Sequence, residues 1–169
     1  SYRDIAHAQA EGYTYRQTRQ NVIYFNSSLA DTEAYIGVVG ELVDTEEVNG
    51  DGWTDVYDTY LYSMRWFDGE QPMNTYYRYR NGFLQNIEIH PTETGYTSDQ
   101  VRSLITAMYG APSASVQGSE SWADEVYSKY ITLSDTAEGC MVTVSNYSLG
   151  ITNVIAEYPV VNGRAQIGN

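Results

Sequence analysis

Between Glu47 and Asp58 the chain sets oxygen-bearing side chains at the spacing a calcium ion requires. Glu47, Asn49, Asp51, Asp55 and Asp58 occupy positions one, three, five, nine and twelve of such a loop. Gly52 stands sixth, where the loop must turn sharply, and Trp53 stands seventh, where a backbone carbonyl is the ligand. Hard oxygen donors in that order would hold Ca2+. The competing reading is plainer: Asn49-Gly50-Asp51-Gly52 is ordinary turn chemistry on a solvated acidic stretch, and then no ion is bound.

A second group draws attention by its sign. The chain carries 22 acidic residues against nine basic ones, a net charge of −13, and Lys129 is its single lysine. A field of that sign repels nucleic-acid phosphate and anionic lipid, so nucleic-acid binding is not expected. Against this background Arg65, Arg78 and Arg80 are predicted to converge beside Leu61 and Tyr76 on one sheet face. Arginine and tyrosine dominate binding hot spots, because they join large contact area to directed hydrogen bonds. That face is therefore the candidate partner surface, for a protein or an acidic glycan. Cross-strand charge balance with Glu88 and Asp58 is the bland alternative, worth a few tenths of about 1 kcal/mol.

Catalysis finds little support. The two histidines, His7 and His90, have no serine, cysteine or second histidine at a spacing that marks a triad or a zinc site. No glycine-rich phosphate loop occurs, and carboxylates are too numerous to pair without geometry. Trp53, Trp66 and Trp122 with 17 tyrosines allow carbohydrate or cell-wall binding as an alternative, though most are expected in the core. Cys140, alone, excludes an internal disulfide and reads as a buried thiol.

The element that must carry the arginines is a β-hairpin, Met73–His90, turning at Asn81-Gly82. A two-residue loop pairs Arg80 with Phe83 and Arg78 with Gln85. A three-residue loop, Arg80-Asn81-Gly82, pairs Tyr79 with Phe83 and Thr75 with Ile87. The second puts Met73, Tyr77, Tyr79, Phe83, Ile87 and Ile89 on one face, so the apolar pattern favours it. Ahead lies a strand, Val56–Phe67, with Tyr60, Tyr62, Met64 and Trp66 on one side, preceded by an acidic loop, Asp44–Asp55. One helix is predicted over Asp31–Val39, capped by Ser27 or Ser28 and stopped by Gly40. Another begins at Thr97, where Gln100 completes a capping box, and buries Val101, Leu104, Ile105 and Met108. After a small-residue loop, Ala111–Ser121, come strands over Glu125–Leu133, Cys140–Tyr147 and Ile151–Tyr158. A weak helix opens the chain over residues 1–11.

The order strand, helix, strand, strand recurs, with Gly40 and Gly110 closing the two helices. A helix ending in Gly110-Ala111-Pro112 before an aromatic meander, in two copies, resembles the β-lactamase-inhibitor-protein-like fold. That resemblance implies helices on one face of an antiparallel sheet, with the other face free for proteins. The string NGDGWTDVY is similar to calcium loops of integrin-type propeller repeats and dockerins. The predicted class is α+β: two helix-plus-antiparallel-meander repeats forming one sheet layer covered by helices on one face. Residues 1–20 form an arm, 21–80 the first repeat, 81–158 the second, and 159–169 a loose tail. No stretch reaches the roughly 18 apolar residues of a membrane span. The abrupt start at Ser1 leaves room for an export or anchor segment upstream. The expected function is a non-catalytic extracytoplasmic binding or inhibitor-type module, with an uncharacterised hydrolase the most distant reading.

Overall fold

The computed structural model describes residues 22–124, 129–146, 154–156, 158–161 and 164–165. The arm of residues 1–20, His7 and Tyr127 lie outside them.

Local chemistry fixes both helices. The Ser28 hydroxyl accepts from the Asp31 amide at 3.0 Å, and α1 runs Leu29–Ile36. It stops at Gly37 rather than Gly40, because Gly37 takes the left-handed conformation, φ 76°. Gly40 has another duty. A Cβ there would lie 2.6 Å from the Tyr62 ring, so only glycine lets the chain pass. Helix α2, Ser98–Tyr109, shows both halves of the predicted capping box. Thr97 Oγ1 accepts from the Gln100 amide at 3.1 Å, and Gln100 Oε1 accepts from the Thr97 amide at 2.8 Å. Val101 and Ile105 are fully buried, Leu104 packs at the core's margin, and Met108 is exposed.

The acidic stretch predicted as a loop is a hairpin. Strands β2, Glu41–Gly50, and β3, Trp53–Arg65, pair around Asp51-Gly52. Charged side chains hid β2 because it lies at the sheet's edge, where they stay in water and blunt unwanted pairing. Strands β4, Met73–Arg80, and β5, Phe83–His90, form the central hairpin. Its loop has two residues, not three: Asn81 and Gly82 both have positive φ, 49° and 89°. Arg80 pairs with Phe83 and Tyr79 with Leu84; then the register slips, so that Arg78 meets Asn86, Tyr77 meets Ile87 and Thr75 meets Ile89. Gln85 is the extra residue of a β-bulge. Leu84 therefore takes the buried place predicted for Phe83, which is exposed, while Met73, Tyr77, Tyr79, Ile87 and Ile89 are in the core as expected.

The small-residue stretch after α2 is also strand: β6, Ala114–Val116, and β7, Ser119–Asp124, pair with each other. They are followed by β8, Lys129–Thr136, and β9, Gly139–Asn146. Ile131, Leu133, Val142 and Val144 point inward, as alternation predicted, and Cys140 is a buried free thiol. Strand β10, Val154–Ala156, pairs with β1, Val22–Tyr24. The region predicted as a loose tail supplies part of β11, Tyr158–Val161, and all of β12, Arg164–Ala165.

Among the described residues the fold is α+β, with an antiparallel sheet ordered β12-β11-β3-β4-β5-β9-β8-β7-β6, and with β2 also on β3. Each helix precedes a meander, β2-β3-β4-β5 or β6-β7-β8-β9, and the meanders meet through β5 and β9. One apolar cluster joins them: Tyr62, Met64, Tyr77, Tyr79, Ile87 and Ile89 from the first, Ile131, Leu133, Val142 and Val144 from the second, and Ile36, Val101 and Ile105 from the helices. The Tyr62 hydroxyl donates to Glu33 Oε2 at 2.7 Å and lies 3.0 Å from the Tyr79 hydroxyl. The Gly40 amide donates to the same Glu33 oxygen at 2.9 Å. Burial pushes the Tyr62 pKa up.

Helix packing generates a direct test. Ile105→Ala is expected to cost about 2–5 kcal/mol in urea unfolding, as a full core truncation. Met108→Ala should stay within about 0.5 kcal/mol of wild type. Equal costs would mean that α2 presents a different face to the sheet.

Candidate functional site

Residues directly opposite one another in paired strands share a sheet face. One row therefore runs Glu46, Tyr57, Arg80, Phe83; the next runs Asp44, Thr59, Arg78, Asn86; the third runs Glu41, Leu61, Tyr76, Glu88; the fourth runs Ser63, Asn74, His90. They make up the face turned away from the buried Tyr62, Tyr77 and Tyr79. Leu61, Tyr76, Arg78 and Arg80 are thus brought together as the sequence predicted. Arg65 lies apart, near the end of β3 opposite Tyr158, with Nη2 3.9 Å from Asp68 Oδ1.

The arginines are held in place. Arg78 Nη2 meets Glu46 Oε1 at 2.5 Å, and its guanidinium sits 4.4 Å from the Tyr57 ring centroid. Arg80 approaches Asp55 Oδ2 through Nη2 at 2.9 Å and Nε at 3.0 Å. Asn81 Nδ2 donates to the other Asp55 oxygen at 2.8 Å. That bond, with help from Arg80, holds the Asp55 carboxyl below the usual carboxylate value, against a smaller desolvation effect. The acids are Glu46 and Asp55, not the Glu88 and Asp58 that charge balance suggested. Ion pairs open to solvent on one side add little stability, so their main effect is to orient the guanidiniums.

The calcium-spaced residues fall differently. Strand alternation sends Glu47, Asn49 and Asp58 to the face opposite the arginines, while Asp55 shares the arginine face. Asp51 and Trp53 lie at the hairpin turn. Thr54 Oγ1 donates to Asn49 Oδ1 at 2.6 Å, and Thr45 Oγ1 to Asp58 Oδ1 at 2.8 Å. Among the described residues no group of three or more histidine, cysteine, aspartate or glutamate side chains is arranged to hold a metal ion. Of the tryptophans, Trp66 and Trp122 are core, donating to Thr75 Oγ1 and to the Gly110 carbonyl, each at 2.9 Å. Trp53 is exposed.

Sequence reasoning missed a polar cluster on the same face, at its His90 end. Glu93 Oε1 accepts from Tyr76 OH at 2.7 Å and from Asn74 Nδ2 at 2.9 Å. His90 stands between Glu88 Oε1, 3.1 Å from Nε2, and Glu93 Oε2, 3.5 Å from Nδ1, with the Tyr76 ring edge-on 4.8 Å away. Alternation could put Asn74, Tyr76, Glu88 and His90 on one face, but setting Asn74 opposite His90 and Tyr76 opposite Glu88 needed the β5 bulge. The missing signal was the single turn Pro91–Thr94, which folds Glu93 back over the strands. Desolvation, then the Glu93 hydrogen bond, pushes the Tyr76 pKa up to about 12. Desolvation raises the Glu93 pKa, but Asn74, Tyr76 and His90 together outweigh it and leave the carboxyl below its usual value.

A separate cleft of about 480 Å³ lies between α2 and Gly69–Gln71. Its Tyr96 hydroxyl donates to the Gln71 carbonyl at 2.8 Å and accepts from the Gln71 amide at 2.9 Å, which locks the ring. Among the described residues no helix is long and apolar enough to cross a membrane. Compared with known proteins, the chain matches no family model, no curated sequence and no solved structure.

The Glu93 arrangement has a pH signature. Its folded pKa lies below the unfolded value, so its stabilisation is complete above the ordinary 4.5 and is lost as pH falls through the lower folded value. Glu93→Gln should flatten the acid limb of stability measured by urea unfolding. Because the group is partly solvated, the cost at neutral pH should stay below about 1 kcal/mol. An unchanged acid limb would remove Glu93 from the cluster.

Proposed function

We propose that this chain is a non-catalytic, extracytoplasmic binding module of inhibitor type, docking a protein through the outer face of β2–β5. The observation that carries the reading is the grouping of Tyr57, Arg78 and Arg80. Two guanidiniums, oriented by Glu46, Asp55 and an aromatic ring, stand on strands rather than loops, with side chains still 40% and 49% exposed. Side chains ordered before docking lose less entropy on association. On this face Glu41, Asp44, Glu46, Asp55 and Glu88 surround the two arginines, so it suits a partner that sets hydrogen-bond acceptors over the guanidiniums and basic groups around them. Composition supports the extracytoplasmic setting, with 17 tyrosines and Lys129 the single lysine.

The tandem reading belongs to the same proposal. The two copies are those of residues 21–80, with α1, and 81–158, with α2, taken with helices covering one sheet face and the other left to the partner; the hairpin β4–β5 then spans their boundary. Support comes from the strand order, which runs inward from β2 and from β6 to meet at β5–β9. This order is in keeping with the resemblance to the β-lactamase-inhibitor-protein-like fold. Carbohydrate binding is the second reading, favoured by the locked Tyr96 ring in its cleft.

The double variant Arg78→Ser/Arg80→Ser should keep the wild-type fold by circular dichroism and lose the protein captured by wild type from the native surface fraction. Tyr96→Ala should leave that capture intact. Retention by the double variant would make the arginine face ordinary solvated sheet, and loss on Tyr96→Ala would move the site to the cleft.

A further inference from the structure

The edge of the sheet offers a second surface, beside the arginine face. Strand β2 is ten residues long, and among the described residues it pairs with β3 alone. The amides and carbonyls along its other edge therefore have no strand partner there. A bulge at Val43 interrupts the pairing, after which Asp44–Gly50 runs in unbroken register. At the head of this edge Val39, Leu42 and Val43 are 86%, 51% and 43% exposed. Apolar residues left in water beside an open backbone edge are the features of a strand-addition site.

Charge decides the occupant. Asp44, Glu46 and Glu47 follow the apolar residues, and β2 carries no basic side chain. A second copy of this edge, laid antiparallel, would set carboxylate against carboxylate, which is destabilising. We propose that β2 accepts an extended basic segment of a partner protein as an added strand, with apolar residues at the end that meets Leu42 and Val43. The open backbone supplies the hold, and the acids reject copies of the same chain while admitting the basic strand. The two surfaces share the Arg78–Glu46 pair, but the edge does not use Arg80, so the two proposals can fail separately.

A peptide of alternating arginine and threonine, as long as β2 and closed by two valines, tests this. Binding is followed by calorimetry and by amide hydrogen exchange. The peptide should bind and slow exchange along Asp44–Gly50 by about tenfold or more. Methylating every second peptide nitrogen keeps the charge but removes the edge hydrogen bonds, and should weaken binding about tenfold or more. Asp44→Lys/Glu47→Lys should do the same, while Arg80→Ser, which leaves the Arg78–Glu46 pair intact, should change nothing. The proposal is overturned if the peptide fails to bind or if the methylated peptide binds equally well. It is overturned too if protection falls elsewhere, or if the edge amides are already protected in the protein without peptide.

Discussion

The sheet depends on a short seam. Ile87 faces Val144, Glu88 faces Thr143 and Ile89 faces Val142, and these pairs are what joins one meander to the other. The four aliphatic side chains are buried, and each is worth about 1.5–3 kcal/mol against leaving it in water. Apart, each meander would expose half of that surface. Together they make one floor, on which Val101 and Ile105 of α2 complete a single cluster. The seam is therefore where local strand pairing becomes a shared core.

A polar tie joins the buried Ile36 in holding α1 to the sheet. Glu33 accepts from the Tyr62 hydroxyl and from the Gly40 amide, and Tyr62 reaches Tyr79 in the next strand. Buried hydroxyls left without partners would cost about 1–3 kcal/mol each, so the helix is needed by the sheet as well as the reverse. Consequences pass through the strands. Fixing Tyr62, Tyr77 and Tyr79 inward turns Leu61, Tyr76, Arg78 and Arg80 outward. The arrangement on the outer face is thus set by what the inner face buries.

Legibility in the sequence followed the range of the interaction. The Thr97–Gln100 box was readable because both partners lie within one turn of helix. So was the inward set of β3 and β9, where period-two alternation is undisturbed. The β5 bulge was not readable. Leu84 donates to the Ser27 carbonyl and accepts from the Asn26 amide, both at 2.8 Å, and that strap across the turn selects Leu84 over Phe83 for burial. Gly37 and Gly40 were exchanged in role because a helix stop is local, whereas the need for a bare backbone at Gly40 comes from the distant Tyr62 ring. The arginine face came through because Tyr76, Arg78 and Arg80 all lie before the bulge. Its acids, Glu46 and Asp55, were hidden in a stretch whose charge looked like loop.

Native-state amide hydrogen exchange tests the shared core most directly, by comparing the opening free energies of β4, β5, β8 and β9. If the β5–β9 seam makes one cooperative unit, amides in all four strands exchange through the same global opening, and Ile87→Ala lowers their protection together. If β8 and β9 open at a distinctly lower free energy than β4 and β5, or if Ile87→Ala leaves them unchanged, the two meanders are separate units and this account is wrong.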